Sequence, residues 1–218
     1  MAPLIIAIDG PSGAGKGTVA RAVAETLGYR HIDTGAMYRA VAWKALRDGV
    51  ALDDEPSVTR IADESAIAVE GGVARIDGHD VTQVIRTTDI DKAAATVARL
   101  PRVRAALVAR QRAYGRGGGV LMEGRDIGTV VFPDADVKIY LDASAEERAR
   151  RRASDPAHSG GQAGEAAVSQ SIAARDRSDT TRAASPLTLS PDAVHIDTTG
   201  MPIVAVVERV LALVRQKL

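Results

Sequence analysis

Apolar residues fall along this chain in two alternating rhythms. Short runs of strand type occur at LIIAI (4–8), YRHID (29–33), VLME (120–123), VKIYLD (137–142) and AVHID (193–197). Between them the spacing changes to the three-and-four repeat of an amphipathic helix. Val19, Ala20, Val23, Ala24 and Leu27 share one face of a helix from Lys16 to Leu27, which Gly28 stops. Further helices are predicted at about 36–47, 86–98 and 101–114, the last opening on Pro101. A terminal helix starts near Pro202, with Ile203, Val206, Val207, Val210 and Leu213 or Val214 facing inward. One stretch breaks the rhythm. AIAVEGGVARIDGHDVT (66–82) puts two β runs around Gly71-Gly72, a hairpin signal. Five strands alternating with helices predict an α/β fold: a five-stranded parallel sheet flanked by helices, with ligands at the carboxyl ends of the strands. The hairpin then belongs to an inserted subdomain. ASDPAHSGGQAGEAAVS (153–169) reads as a mobile lid or a surface loop.

The segment GPSGAGKGT (10–18) joins the first strand to the first helix. Gly10, Gly13, Gly15 and Gly17, with Pro11, Ser12 and Ala14 between them, form a loop whose backbone N–H groups can approach phosphate oxygens. Lys16 adds a point charge, and the helix adds its positive dipole end. This is a nucleotide phosphate-binding loop with one oddity: Gly17 stands where Ser or Thr is common, and the hydroxyl arrives one place later, at Thr18.

Composition narrows the partners. The chain has 28 acidic and 28 basic residues, and aromatics are 3%. Zero net charge and few stacking rings argue against a nucleic-acid binder or a membrane-surface protein. Without cysteine there is no disulfide framework and no thiolate metal site. His31, His79, His158 and His195 have no metal-site spacing. The N-terminus lacks the basic lead-in and apolar length of a signal peptide, and no run has membrane-spanning length, so a cytoplasmic protein is expected. Only five basic residues are Lys and 23 are Arg, a bias that high genomic GC content would also produce.

The GKGT ending of the loop resembles the nucleoside monophosphate kinases. The resemblance narrows through DTGAMYR (33–39), PRVR (101–104), EGRDIGTVVFP (123–133) and Arg175-Asp176 with Asp179 and Arg182, which occur in the order found in bacterial cytidylate kinases and span nearly the whole chain. It implies a P-loop kinase with a core (about 1–35, 100–148 and 175–218), an enlarged monophosphate-binding insertion (about 36–99) and a lid (about 149–174). It implies ATP and CMP or dCMP as substrates and Mg2+ as cofactor, with Thr18 in the magnesium neighbourhood, largely through water. A monomer without nucleic-acid or membrane partners is expected.

On this resemblance Thr34 contacts substrate, and Arg39, Arg125 and Arg182 clamp phosphate. Arg175 and Asp179 contact the ribose, with Asp179 accepting from a sugar hydroxyl. The helix AEERARRR leads into the lid; Arg148 and Arg152 share a face at i, i+4 with Arg151 beside them, and one or two of these are expected to reach the ATP phosphates. Asp126 has its own chemical logic. A carboxylate accepts from the exocyclic amino group of cytosine and repels the carbonyl of uracil, while Arg104 donates to the ring's acceptors. One departure stands out: Ala95 occupies the position where the family usually offers a Ser hydroxyl, and Thr96 points about a quarter-turn away. Two rivals remain: a kinase for another monophosphate such as UMP, and a P-loop protein that holds nucleotide without transferring phosphate. A GTPase would carry an NKxD-type guanine reader, which is absent.

Overall fold

The computed structural model describes residues 3–155 and 165–218. In chain order it runs β1 (Ile5–Asp9), α1 (Lys16–Leu27), β2 (Arg30–Asp33), α2 (Thr34–Arg47), α3 (Glu55–Glu64), β3 (Ile67–Glu70), β4 (Val73–Ile76) and β5 (His79–Asp80). It continues with α4 (Thr88–Val97), α5 (Pro101–Tyr114), β6 (Val120–Gly124), β7 (Val137–Asp142), α6 (Ala145–Ala153), α7 (Glu165–Thr181), β8 (Val194–Asp197) and α8 (Ile203–Arg215). Five strands form a parallel sheet in the order β2-β6-β1-β7-β8. The register sets Asp9 beside Gly124 and Asp33 beside Glu123, so several acidic and glycine positions meet along one edge.

Alternation along the strands sends side chains to two cores. Ile6, Ile8, Leu121, Ile139 and Leu141 meet Val19 and Val23 of α1 and Val206, Val210 and Val214 of α8. On the opposite face Ala7, Ile32 and Met122 pack with Met37 and Val41 of α2 and Leu107 of α5, and this cluster continues into Ile76 and Ile85. Each fully buried Ile or Leu contributes about 1.5–3 kcal/mol of transfer free energy. The elements from α2 to α4, β3 and β4 among them, therefore share a core with the sheet.

Helix starts follow capping chemistry. Asp33 accepts from the Ala36 N–H, Thr87 from Ile90 and Ser144 from Glu147. Helix α1 has no side-chain cap; Gly15 stands there with φ 85°, leaving first-turn N–H groups for a ligand.

Four features depart from the sequence expectations. Helix α3 was not foreseen, although Asp54 caps it and Pro56 lies in its first turn. The hairpin gains a third strand, β5, paired antiparallel with β4. Helix α7 begins at Glu165, inside the stretch read as loop, while 156–164 of the expected lid lie outside the described residues. Ile203 is 39% exposed, because the buried stripe of α8 runs through Val206, Val210 and Val214 and misses its first residue. Among the described residues no helix is long and apolar enough to cross a membrane.

Candidate active site

The loop after β1 is held by close backbone approach. Gly10 has φ 146°, and a Cβ there would lie 1.9 Å from the Leu141 carbonyl oxygen. Gly13 has φ 80° and sits against the Arg148 backbone, where a Cβ would come within 2.8 Å of its oxygen. Only glycine allows both approaches. Lys16 lies within this turn and donates from Nζ to the Pro11 carbonyl at 2.8 Å. Burial, helped by nearby Arg125, pushes its ammonium down to about 7. Asp9 accepts from the N–H groups of Ile127 (2.8 Å) and Gly128 (2.7 Å), and burial pushes its carboxyl up to about 6 against those two bonds. The segment it holds, Ile127–Val131, is a single wide helical turn in which Val131 and Phe132 donate to carbonyls five residues back.

A cavity of about 810 Å³ runs from this loop towards the insertion. At the loop end it is lined by Ser12, Gly13, Gly15, Lys16, Gly17 and Thr18. Gly10, Pro11 and Ala14 complete the turn behind them. Glu123, at the end of β6, is buried beside Gly17, where a Cβ would come within 3.2 Å of its Oε1. His31 Nε2 and Glu123 Oε1 are 3.0 Å apart, and Thr34 donates from its hydroxyl to the Glu123 carbonyl at 2.8 Å.

The far end is built of side chains. Arg104 from α5 and Asp126 form a buried ion pair, and the Arg104 guanidinium lies 5.3 Å from the Tyr38 ring centroid. Arg182 Nη2 stands 3.9 Å from Asp126 Oδ1. Burial, with Arg104 close by, lowers Arg182 to about 10, so it remains cationic at neutral pH. Asp179 lies behind this group, 2% exposed and outside the cavity lining. It receives Arg125 Nε at 2.8 Å, Arg175 Nε at 3.4 Å and Arg182 Nη1 at 3.8 Å. Burial would raise its carboxyl, yet Arg125 and Arg175 hold it below the usual carboxylate range. Arg39 donates to Asp33 at 2.7 Å. Arg104 Nε, Arg182 Nη2 and Arg39 Nε are buried without a hydrogen-bond partner, three donors suited to a ligand.

The arginines of α6 divide. Arg148 donates to the Ser12 carbonyl (3.1 Å), the Ala143 carbonyl (3.0 Å) and Asp176 (2.6 Å), behind the loop and outside the cavity lining. Arg151, beside the i, i+4 pair, lines the cavity with Nη1 3.7 Å from where a Cβ on Gly15 would stand. Arg152 also lines it and pairs with Asp91. Thr96 is exposed, and its hydroxyl turns back to the Lys92 carbonyl.

The sequence does not single out Glu123 or Asp91. Glu123 had a signal: it lies at the carboxyl end of a strand and directly precedes the Gly-Arg-Asp triplet. Asp91 had none, because its partners come from three other helices.

The chain matches the family model described as cytidylate kinase over residues 6–216. A curated cytidylate kinase from Pelotomaculum thermopropionicum is 52% identical over 212 residues, covering 95% of this chain and 94% of that protein. One from Desulfitobacterium hafniense is 48% identical over 217 residues, covering 98% and 94%. One from Geobacillus kaustophilus is 46% identical over 217 residues, covering 98% and 97%. Among solved structures, a gluconokinase from Sinorhizobium meliloti superposes with TM-score 0.52 at 17% identity over 99% of this chain and 94% of its own, a likeness of fold.

Proposed function

This chain belongs to the cytidylate kinase family, and from that premise we propose how its residues transfer the γ-phosphoryl group of ATP to CMP or dCMP. The reaction yields ADP and CDP or dCDP. A phosphate monoester has a second pKa of about 6, so the acceptor oxygen is already largely ionised near neutral pH and needs no strong general base. The demand on the protein is to bring two polyanions together and keep water out.

The loop N–H groups and Lys16 hold the β- and γ-phosphates of ATP, with Arg151 overhanging the loop. Arg148, tied to the Ser12 carbonyl, keeps the loop in shape from behind. Arg39 and Arg125 take the acceptor phosphate, and Asp179 is the shared counter-ion that aims Arg125, Arg175 and Arg182. The acceptor oxygen bonds to the γ-phosphorus in line as the bond to the β–γ bridging oxygen breaks, with no covalent enzyme intermediate.

Magnesium fits this donor set. Thr18 is exposed at the start of α1, and the Glu123 carboxylate abuts Gly17, both lining the cavity. Among the described residues no group of three or more His, Asp or Glu could cage a metal. Magnesium commonly keeps waters and phosphate oxygens and takes only one or two protein groups. Thr18 and Glu123 would hold its water shell, and bound there it neutralises charge on the transferring phosphates.

The observation that carries base selection is the buried Arg104–Asp126 pair, a donor beside an acceptor, with Arg104 Nε and Arg182 Nη2 unpartnered. The Thr96 hydroxyl is spent on its own helix, which supports leaving recognition to this pair. The test is ADP release from Mg-ATP with CMP, dCMP, UMP, AMP, GMP and dTMP in turn. Turnover confined to CMP and dCMP is expected. Equal turnover with UMP would remove the role given to Asp126.

A further inference from the structure

Helix α4 carries Asp91 into the same cavity, where cations from three other helices surround it. Arg152 of α6 pairs with its carboxylate through Nη2. Arg39 of α2 has Nη1 3.9 Å from Asp91 Oδ1. Arg175 of α7 donates from Nη1 to the Asp91 backbone carbonyl at 2.9 Å. The side chains are mostly withdrawn from water: Asp91 is 16% exposed, Arg39 16% and Arg152 25%. All four residues line the cavity.

Three guanidinium groups gathered this closely repel one another unless an anion stands among them. Arg39 is read above as a clamp on the acceptor phosphate, and Arg152 projects from the helix that also carries Arg151 over the loop. Arg39 also pairs with Asp33 and Arg175 with Asp179; the carboxylate that Arg39 and Arg152 share is Asp91.

We propose that Asp91 determines specificity for acceptor over water: its carboxylate stands in for the acceptor phosphate on Arg39 and Arg152 until that phosphate arrives. This rests on the reading of Arg39 given above. While Arg152 is held by Asp91 it cannot serve the phosphates of ATP. A dianionic acceptor phosphate at Arg39 repels the Asp91 carboxylate and competes for both guanidinium groups. Arg152 is then released to charge developing on the transferring group. Without acceptor, the γ-phosphoryl group is protected from water. In that side reaction the water oxygen would bond to the γ-phosphorus as the bond to the β–γ bridging oxygen breaks, giving ADP, phosphate and a proton.

The test uses the full chain with Asp91→Asn, which keeps the shape and removes the charge, and Asp91→Glu, which keeps the charge. ADP release from Mg-ATP is measured without acceptor and then across a CMP series, with thermal melting to confirm folding. In Asp91→Asn, acceptor-free ADP release is expected to rise about tenfold, the factor that 1.4 kcal/mol of barrier represents. The KM for CMP is expected to fall, because the acceptor no longer displaces a resident anion, and Asp91→Glu should restore both values towards wild type. Should Asp91→Asn not remain folded, Asp91→Ala, favourable within a helix, gives the same readings.

Unchanged acceptor-free release would overturn the proposal. So would a CMP turnover that drops in Asp91→Asn and returns in Asp91→Glu with no change in acceptor-free release, since Asp91 would then only brace the arginines. CMP-dependent turnover by the wild-type chain separates these results from a failure of the functional reading itself.

Discussion

The two ends of the cavity, proposed above as the donor and acceptor ends, are made differently. The donor end is nine consecutive residues of backbone, shaped by glycines pressed against Leu141 and Arg148, with one cation inside it. The acceptor end is assembled from side chains on α2, α5, α7 and the turn after β6, each already paired with another. The donor end holds N–H groups open and one buried amine that burial pulls down to about 7. The acceptor end offsets its cations with the carboxylates of Asp33, Asp126 and Asp179. A backbone cradle can stand empty because its dipoles are small and fixed; a cluster of full charges cannot, and needs internal counter-ions.

Three measurements bear on that contrast. The largest effect is expected at the donor end. Lys16→Met should lower kcat about 10²–10³-fold, the usual loss for one electrostatic stabiliser, with CMP and dCMP alike. CMP binding without ATP, followed by calorimetry, should be unchanged. If CMP binding fell equally, the two ends would not be separable.

A smaller and more selective effect is expected at the acceptor end. Asp126→Asn replaces a pure acceptor with an amide that can turn its NH2 to the uracil carbonyl. The CMP-to-UMP ratio of kcat/KM should fall about 10–100-fold, in line with 1–3 kcal/mol for one base-edge contact. Affinity for a non-hydrolysable ATP analogue should stay at the wild-type value. A ratio that does not move would detach Asp126 from the base.

The smallest effect is in pH dependence. In the free protein the Lys16 ammonium is lowered to about 7. Polyphosphate bound beside it favours the charged form and raises that value. Below about 7 the amine is protonated both free and bound, so affinity is flat. Above it, binding must take up a proton, and affinity for the ATP analogue should fall by up to about tenfold per pH unit. Calorimetry in buffers of different ionisation enthalpy should detect the uptake, and CMP binding should lack this dependence.

Local signals were legible where function lies in contiguous chain. The boundaries of α1, α5 and β7 coincide with the apolar spacing, because periodicity reports burial directly. The phosphate loop reads from its glycines alone. Helix α3 was passed over although its cap and proline were present, since its short amphipathic stripe is easily outweighed by the surrounding Asp, Glu and Ser. The order of the arginines on α6 was a harder matter. Spacing places Arg148 and Arg152 on one face, but which face meets the loop depends on how α6 packs, and that packing turns Arg148 onto the Ser12 carbonyl. Asp179, expected at the sugar, is buried with Arg125, Arg175 and Arg182 around its carboxylate, a grouping that depends on α7 meeting the turn after β6.

The amino-acid sequence by itself determined the parallel α/β sheet, the glycine-rich loop after its first strand, and the residue types proposed above for base and phosphate recognition. Those properties are set by neighbours within a few positions, through strand and helix periodicity and the freedom of glycine. The tertiary structure alone decided which charges meet: Arg104 with Asp126 across 22 positions, Arg125 with Asp179 across 54, and Arg152 with Asp91 across 61. Pairing of that kind follows from the distance between side chains after the helices have docked on the sheet, and separation along the chain carries almost no information about that distance.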